Sequence, residues 1–249
     1  MRIPRFFQAD SFSVNQSIEL SPLNYRHAIQ VLRLKITNPL ILFNGTGGEY
    51  HAYIIEVTKK QANVMVERFD AIERESPLQT TLALALIKPE KMDYALQKAV
   101  ELGVTHIQPL ITERSVIRLK ANQLEKKLNR WQGIITSACE QSGRTRLPQL
   151  HSPIPLNAYL QHESQRNTLH TLRISMLPNA AQSLTTLQQP NLKTAIQLII
   201  GPEGGFTDAE EVLLRQAGTT AISFGSRILR AETAALVGLT ALQMQWGDY

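Results

Sequence analysis

Apolar and polar residues follow two different patterns along this chain, with the change between Phe69 and Thr81. In the N-terminal part, Leu40–Phe43 and Tyr50–Val57 are β-prone runs joined by Asn44-Gly45-Thr46-Gly47-Gly48, which predicts a hairpin. Lys59-Lys60 turns the chain into a third strand, Ala62–Phe69, where Val64 and Val66 alternate with Asn63 and Met65. Tyr25–Arg33, after Ser21-Pro22, is the helical stretch of this part. Short strands with tight turns predict a small barrel. Ala71–Pro77, with Glu73, Arg74, Glu75 and Ser76, reads as a linker.

From Thr81 onward strands alternate with helices. Thr81–Ile87 is almost continuously apolar, as a strand buried on both faces of a parallel sheet must be. Pro89 precedes a helix with Met92, Ala95, Leu96, Ala99 and Leu102 on one face, stopped by Gly103. Val104–Ile111 is the next strand. The helix after it carries Leu124, Leu128, Trp131, Ile135 and Ala138 on one face and ends at Gly143. Thr171–Leu177, Ala195–Ile200 and Ala221–Phe224 are further strands, each followed by a helix candidate, the last being Ala231–Met244. Gln161–Thr168 and Gln182–Gln189 read as loops or weak helices. The expected architecture is a β-domain over residues 1–72 and an α/β domain with a mainly parallel sheet over residues 73–249.

With 43% hydrophobic and 19% charged residues in 249, the chain can build a packed core, which excludes disorder and collagen-like repeats. No apolar run approaches the roughly 18 residues of a membrane span. Arg2, Arg5 and Asp10 stand where a secretory signal would be apolar. The single cysteine, Cys139, excludes an internal disulfide and a cysteine-built zinc site. These features predict a soluble, cytoplasmic protein. The net charge of +5 is uneven: residues 1–85 carry +1, residues 86–150 carry +5 and residues 151–249 carry −1. A basic middle fits either a polyanion-binding face or an ordinary solvated surface.

Two glycine loops carry the candidate chemistry. In Ile199-Ile200-Gly201-Pro202-Glu203-Gly204-Gly205-Phe206-Thr207, a buried strand runs into a turn, and a helix starts at Thr207, which has capping-box spacing to Glu210. Ligands of open parallel sheets bind at such strand C-termini, and paired glycines let backbone approach them. No Lys follows the glycines, the GxGxxG spacing is missing, and Glu203, Asp208, Glu210 and Glu211 would repel a polyphosphate. A neutral or cationic ligand, such as an adenosine bearing a sulfonium, fits better; a capped structural turn is the alternative. The second loop, Phe224-Gly225-Ser226-Arg227-Ile228-Leu229-Arg230-Ala231-Glu232-Thr233-Ala234, leads another strand into a helix. Arg230 and Glu232 are either a surface ion pair or part of a pocket shared by both loops.

These two segments together resemble the C-terminal signature of the SPOUT methyltransferases, and are most similar to the RsmE-type 16S ribosomal RNA uridine-N3 methyltransferases. The resemblance extends to Arg2-Ile3-Pro4-Arg5-Phe6-Phe7, Val31-Leu32-Arg33-Leu34, Asn44–Tyr50, Lys88 with Lys91-Met92-Asp93, Lys98–Val104, Thr112-Glu113-Arg114-Ser115-Val116 and Glu140-Gln141-Ser142-Gly143-Arg144. It implies a PUA-like N-terminal barrel that binds RNA and a C-terminal α/β domain with a deep trefoil knot, which no pattern argument would produce. It also implies a homodimer that holds S-adenosylmethionine in the knot and methylates N3 of a uridine (position 1498 in the usual rRNA numbering) of the small ribosomal subunit. Cofactor contacts are then expected from Leu177 and Pro178, from Gly201, Pro202, Glu203, Gly204 and Gly205, and from Phe224, Gly225, Ile228, Leu229, Arg230, Ala231 and Thr233. Family members often carry Leu where Phe224 stands and a polar residue near Leu177. Arg230 is the expected catalytic cation, with Glu232 either accepting the proton or orienting Arg230. Arg2, Arg5, Arg33, Lys35, Arg114 and Arg144 are the candidate phosphate contacts; Arg144 and Arg146 also suit a helix C-terminus. A rival from another class is a non-catalytic ribosome-assembly protein that keeps the fold.

The remaining candidates read as structural. His27 and His51 suit surface or packing roles, His106 lies within a strand, and none of the six histidines has metal-ligand spacing, so no metal is expected. Cys139, on the apolar side of a helix, reads as a buried thiol.

Overall fold

The computed structural model describes residues 3–115, 121–165, 171–191 and 194–249. They form two compact units, one of Met1–Glu75 with Thr136–Leu147 and the other of Ser76–Ile135 with Pro148–Tyr249. Residues 136–147, which linear order leaves with the C-terminal domain, thus pack with the N-terminal strands.

The first unit is built on strands β1 (Arg5–Phe7), β2 (Ser17–Glu19), β3 (Pro39–Phe43), β4 (Glu49–Val57) and β5 (Ala62–Asp70), with a short helix α1 (Pro22–Tyr25) that continues as a π-helical turn over Arg26–Val31. The three strands read from the sequence are β3, β4 and β5; the helical stretch begins earlier, where the Ser21 hydroxyl caps Asn24 N–H and Pro22 occupies the first turn. Hydrogen-bonded order is β1-β3-β4-β5-β2. Buried Gln8 joins the two ends of this ladder with its side chain: Nε2 donates to the Glu19 carbonyl at 3.0 Å and Oε1 accepts from Ser21 N–H at 2.8 Å. The inward positions Leu40, Leu42, Ala52, Ile54, Val64 and Val66 meet Phe6, Phe12 and Leu20 in one core.

Beside that core lies an ion network. Arg5 NH1 donates to Glu49 Oε2 at 2.7 Å and to the Gly143 carbonyl at 3.1 Å, and Arg5 and Glu49 are both almost fully buried. Arg74 adds a second cation, 3.1 Å from Glu49. Arg144, also buried, pairs with Glu75, and Arg146 with Glu73. The segment read as a linker is therefore held by its own charges.

The second unit contains β6 (Thr80–Ala85), α2 (Pro89–Glu101), β7 (His106–Ile111), most of α3 (Ala121–Ser142), the two-residue strands β8 (Gln149–Leu150) and β9 (Ile154–Pro155), α4 (Leu156–Gln165), β10 (Thr171–Met176), β11 (Ala195–Ile200), α5 (Asp208–Gln216), β12 (Thr220–Ile222) and α6 (Ala231–Trp246). All its strand pairs are parallel, in the order β12-β10-β11-β6-β7-β8, with β9 also on β7. After β10 the chain forms a loop with one 3₁₀ turn, Leu184–Thr186, where a helix is expected from the sequence. Leu82–Ile87 and Ile196–Ile200 are buried throughout. Ala83, Leu110 and Ile199 meet Leu156, Tyr159, Leu160 and Leu214 of α4 and α5. On the opposite face α6 presses so close that a Cβ added to Gly238 would stand 2.7 Å from Leu198 Cδ2.

Breaking a buried ion pair by removing one partner costs about 3–5 kcal/mol, because the remaining charge stays desolvated. Glu49→Gln should therefore lower the stability of the first unit by about 3 kcal/mol in urea unfolding; a loss below about 1 kcal/mol would show that Arg5 does not depend on Glu49.

Candidate functional site

Because β10, β11 and β12 are parallel neighbours, the loops that leave their C-terminal ends open on the same edge of the sheet. These loops, with the first turn of α6, enclose a cavity of about 270 Å³. Of the residues expected to contact the cofactor, Leu177, Pro178, Gly201, Pro202, Glu203 and Gly205 line it, as do Phe224, Gly225, Ile228, Leu229 and Ala231. Gly204, Arg230 and Thr233 are not part of the lining. The floor that sequence reasoning missed is supplied by Met176, Ile200 and Ile222, the last residues of their strands, with Phe206 and Ala234. Strand-final apolar residues carry no sequence signal that separates cavity floor from core. Asn179, Ser223, Glu211 and Arg227 complete the wall, and Arg227 is its single basic side chain.

The glycine loop is closed by a hydrogen bond of its own backbone. Gly205 N–H donates to the Pro202 carbonyl at 2.9 Å, closing a turn with Gly205 at φ +69°. Gly201 stands close under the Phe206 ring, where a Cβ would lie 3.1 Å from a ring carbon and the ring would have to shift slightly. At Gly205, and at Gly225 with φ +73°, a Cβ would meet open space, so here it is the backbone angle that selects glycine. Thr207 and Glu210 form the expected capping box: Thr207 N–H donates to Glu210 Oε2 at 2.9 Å and Glu210 N–H to Thr207 Oγ1 at 3.3 Å. The capping box thus takes up the N–H groups of Thr207 and Glu210, Asp208, Glu210 and Glu211 place acids in the first turn of α5, and Glu203 accepts from Lys88 N–H at 3.1 Å. This wall favours a neutral or cationic ligand over a phosphate.

Arg230 is the exposed N-cap residue of α6 and makes no side-chain cap bond. Glu232 is buried, and its Oε1 lies 3.2 Å from Lys91 Nζ of α2. Of the two readings of Arg230 and Glu232, the surface ion pair is corrected: Glu232 pairs with Lys91 instead. Lys91 was missed as a partner because it is remote in sequence.

The basic candidates separate into three groups. Arg5 and Arg144 are buried against Glu49 and Glu75, which corrects their reading as phosphate contacts: their charge is already neutralised inside the first unit. Arg33, with φ +55°, and Lys35 are exposed on the turn that follows the π-helical segment. Arg114 donates from NH1 to the carbonyls of Gly204, at 3.0 Å, and Phe206, at 3.1 Å. Arg2 lies outside the described residues, as does Val116 of the Thr112–Val116 motif.

His106 Nδ1 is 3.4 Å from His151 Nε2. The structure also gathers Glu49, His51 and Asp70 so that their ligating atoms lie within 4.8 Å, a convergence invisible in linear spacing. Arg5 and Arg74 on Glu49 and Arg68 on Asp70 already oppose those carboxylates. Burial pushes the Cys139 thiol up to about 12, so it is inert as a nucleophile. Among the described residues no helix is long and apolar enough to cross a membrane.

Comparison with known proteins agrees with this geometry. The family model described as RNA methyltransferase domain matches residues 74–243, and that described as RNA methyltransferase PUA domain matches residues 24–67. The ribosomal RNA small subunit methyltransferase E of Buchnera aphidicola is 36% identical over 100% of this chain and 96% of its own length. That of Bacillus subtilis is 31% identical over 88% of this chain and 86% of its own. The crystal structure of the corresponding Neisseria gonorrhoeae protein, bound to S-adenosyl methionine, superposes with a TM-score of 0.91 at 37% identity over the whole of both chains. A putative methyltransferase from Legionella pneumophila, in complex with the same cofactor, gives 0.93 at 38%, again over both whole chains. With matches to the RNA methyltransferase domain and to its PUA domain, and with relatives more than 30% identical over nearly its whole length, this chain belongs to the ribosomal RNA small subunit methyltransferase E family.

Proposed function

We propose that this chain is an S-adenosylmethionine-dependent methyltransferase that acts on N3 of a uridine, position 1498 in the usual numbering, in the 16S RNA of the small ribosomal subunit. On this reading it works in the cytoplasm as a homodimer, and no metal takes part. The observation that carries it is the cavity at the ends of β10, β11 and β12, whose wall is glycine backbone, apolar side chains and two acids with one arginine. Its residues fit the cofactor: the open side of Gly205 and Gly225 leaves room for a ligand against the backbone, and Leu177, Pro178, Phe224 and Leu229 offer faces for an adenine. S-adenosylmethionine supplies an electrophilic methyl group on a sulfonium, a cation that Glu203 and Glu211 would favour and a lysine would oppose.

Uridine N3 carries a proton at neutral pH and becomes a nucleophile once that proton leaves, with the charge spread over N3 and the flanking carbonyl oxygens. A fixed cation beside those oxygens stabilises the anion. Arg230 is suited to that task. Its guanidinium stays charged at every working pH, and it stands between the lining residues Leu229 and Ala231. A cation at a helix N-terminus opposes the helix dipole, so the placement of Arg230 carries a local cost that a role in the reaction would account for. Glu232, buried against Lys91, fixes the first helical turn from which Arg230 projects. Arg33 and Lys35, exposed on the first unit, are assigned to RNA phosphates, which position the substrate without reading its sequence.

The direct test is methyl transfer to small subunits isolated from a strain lacking this gene, followed by mass spectrometry of the RNA. One methyl on a single uridine is expected. Cofactor binding without transfer would favour the assembly protein instead.

Three further outcomes are expected. Gly205→Val forces a branched side chain into φ +69° and should weaken cofactor binding at least tenfold by calorimetry, with the cooperative unfolding of the protein retained; wild-type affinity in a folded variant would exclude the loop from the site. Arg33→Ala should weaken RNA binding and flatten the dependence of log affinity on log salt by about one unit; an unchanged slope would place the RNA elsewhere. In single-turnover methylation with saturating cofactor and RNA, Arg230→Ala should lose most rate at low pH and recover as rising pH ionises N3 unaided. An equal loss at every pH would assign Arg230 to binding or folding.

A further inference from the structure

We infer that Arg114 is a positioning residue for the cofactor loop, acting through the Gly204–Phe206 backbone and not through RNA; this rests on the cofactor reading above. Arg114 lies just beyond β7, and β7 is separated from β11 in the sheet by β6. Its guanidinium nevertheless reaches the loop that follows β11 and gives two hydrogen bonds from one nitrogen, to the carbonyls of Gly204 and Phe206. Those carbonyls belong to the peptides at either end of the two-residue step Gly205-Phe206. Gly205 holds the positive φ of this loop, and a glycine peptide is the one most free to rotate. A charged donor on the flanking carbonyls resists that rotation more strongly than a neutral one.

Neighbouring residues strengthen the same brace. Glu113 N–H donates to Glu210 Oε1 at 2.9 Å, and Thr207 Oγ1 donates to Glu113 Oε2 at 3.1 Å. With Oε2 taken by Thr207 N–H, both oxygens of the buried Glu210 carboxylate are engaged. The bracing segment is itself tied, since Thr112 N–H donates to Ser115 Oγ at 3.2 Å and Ser115 N–H to the Thr112 carbonyl at 3.2 Å. Packing points the same way: a Cβ on Gly204 would lie 3.3 Å from Arg114 Cβ, so the arginine stem lies against this glycine. The brace therefore fixes the wall formed by Gly205 and Phe206 before a ligand arrives, and a preformed wall avoids the ordering cost of binding.

Arg114 was also a candidate phosphate contact, and the two roles separate experimentally. Arg114→Ala and Arg114→Lys are compared with the wild type in thermal melting without ligand, in calorimetric titration with S-adenosylmethionine, and in titration with a small-subunit RNA fragment at fixed salt. Arg114→Ala is expected to melt cooperatively, to bind the cofactor about tenfold more weakly, and to bind RNA within twofold of wild type. Its KM for the cofactor should rise while kcat at saturation changes little. Millimolar ethylguanidinium should restore part of the lost affinity, which a merely destabilised fold would not show. Arg114→Lys keeps the charge without the planar fork, is expected to be intermediate, and serves for the comparison if the alanine variant does not fold. Unchanged cofactor affinity with weakened RNA binding in either folded variant would overturn the proposal and make Arg114 a phosphate contact. A wild-type protein that takes up no cofactor would instead refute the cofactor reading itself.

Discussion

Parallel pairing of β10 with β11 on one side and β12 on the other is the constraint on which the site depends. In a parallel sheet every strand must leave at the same edge, so three loops that are far apart in sequence have to meet there. The registers Ser175 with Ile199 and Met176 with Ile222 bring the strand ends level. The close approach of α6 to this sheet is the second half of the same constraint. It is permitted by Gly238, where an added Cβ would meet Leu198 at 2.7 Å and Met176 Sδ at 2.9 Å. Small residues at Ala231 and Ala234 then let the start of α6 serve as cavity wall. A side chain at position 238 would have to displace the ends of Leu198 and of Met176, and Met176 is part of the cavity floor. A packing residue thus governs a binding site that it does not touch.

The sequence made the strands and most of the helices legible because burial leaves a clear signature. Thr81–Ile87 reads as a two-faced buried strand, of which Thr81–Ala85 lie in β6 while Leu86 and Ile87 are buried beyond its end; Val64 and Val66 alternate with outward Asn63 and Met65 as the period requires. Three-residue strands such as β1, β2 and β12 lie below the length at which periodicity can be read, and only β12 was anticipated, as Ala221–Phe224. The π-helical turn at Arg26–Val31 gives a helix-like pattern whose bounds shift, because Leu32 N–H bonds back to the His27 carbonyl instead of continuing α1. In the cavity, backbone glycines and loop residues were readable from strand–loop–helix spacing. Met176, Ile200 and Ile222 were not, because pairing alone decides that their strands end beside a ligand space.

Charge was the least legible property. A basic middle suggested a polyanion face, yet Arg144 and Arg146 of that stretch are matched by Glu75 and Glu73, and Arg5 and Arg74 ahead of it by Glu49. Counting charges along the chain cannot reveal this, since the partners lie 25 to 73 residues apart. At Glu73 burial works against ionisation, but hydrogen bonds from Arg146, Arg74 N–H and Thr145 prevail and lower its pKa. Glu140 goes the other way: burial raises its pKa, and the bond from Phe7 N–H offsets only part of that. The unit therefore uses many of its arginines as internal struts. The cations left exposed, Arg33 and Lys35 among them, say more about partners than the net charge does.

The same accounting at the cavity decides what kind of ligand it suits. Most helix N-termini attract anions through their free N–H groups. At α5 the capping box engages the N–H groups of Thr207 and Glu210, and Asp208 and Glu211 place further negative charge in the first turn. A phosphate would have to displace those bonds and meet three carboxylates. A sulfonium meets the opposite field, while an adenosine asks only for apolar faces and accessible backbone, both present in the lining. Arg230 at the start of α6 reverses the pattern, with a cation where a helix prefers an acid. The two helix starts beside one cavity thus carry opposite charge, an arrangement that suits a cationic donor and an acceptor whose charge is negative when it reacts.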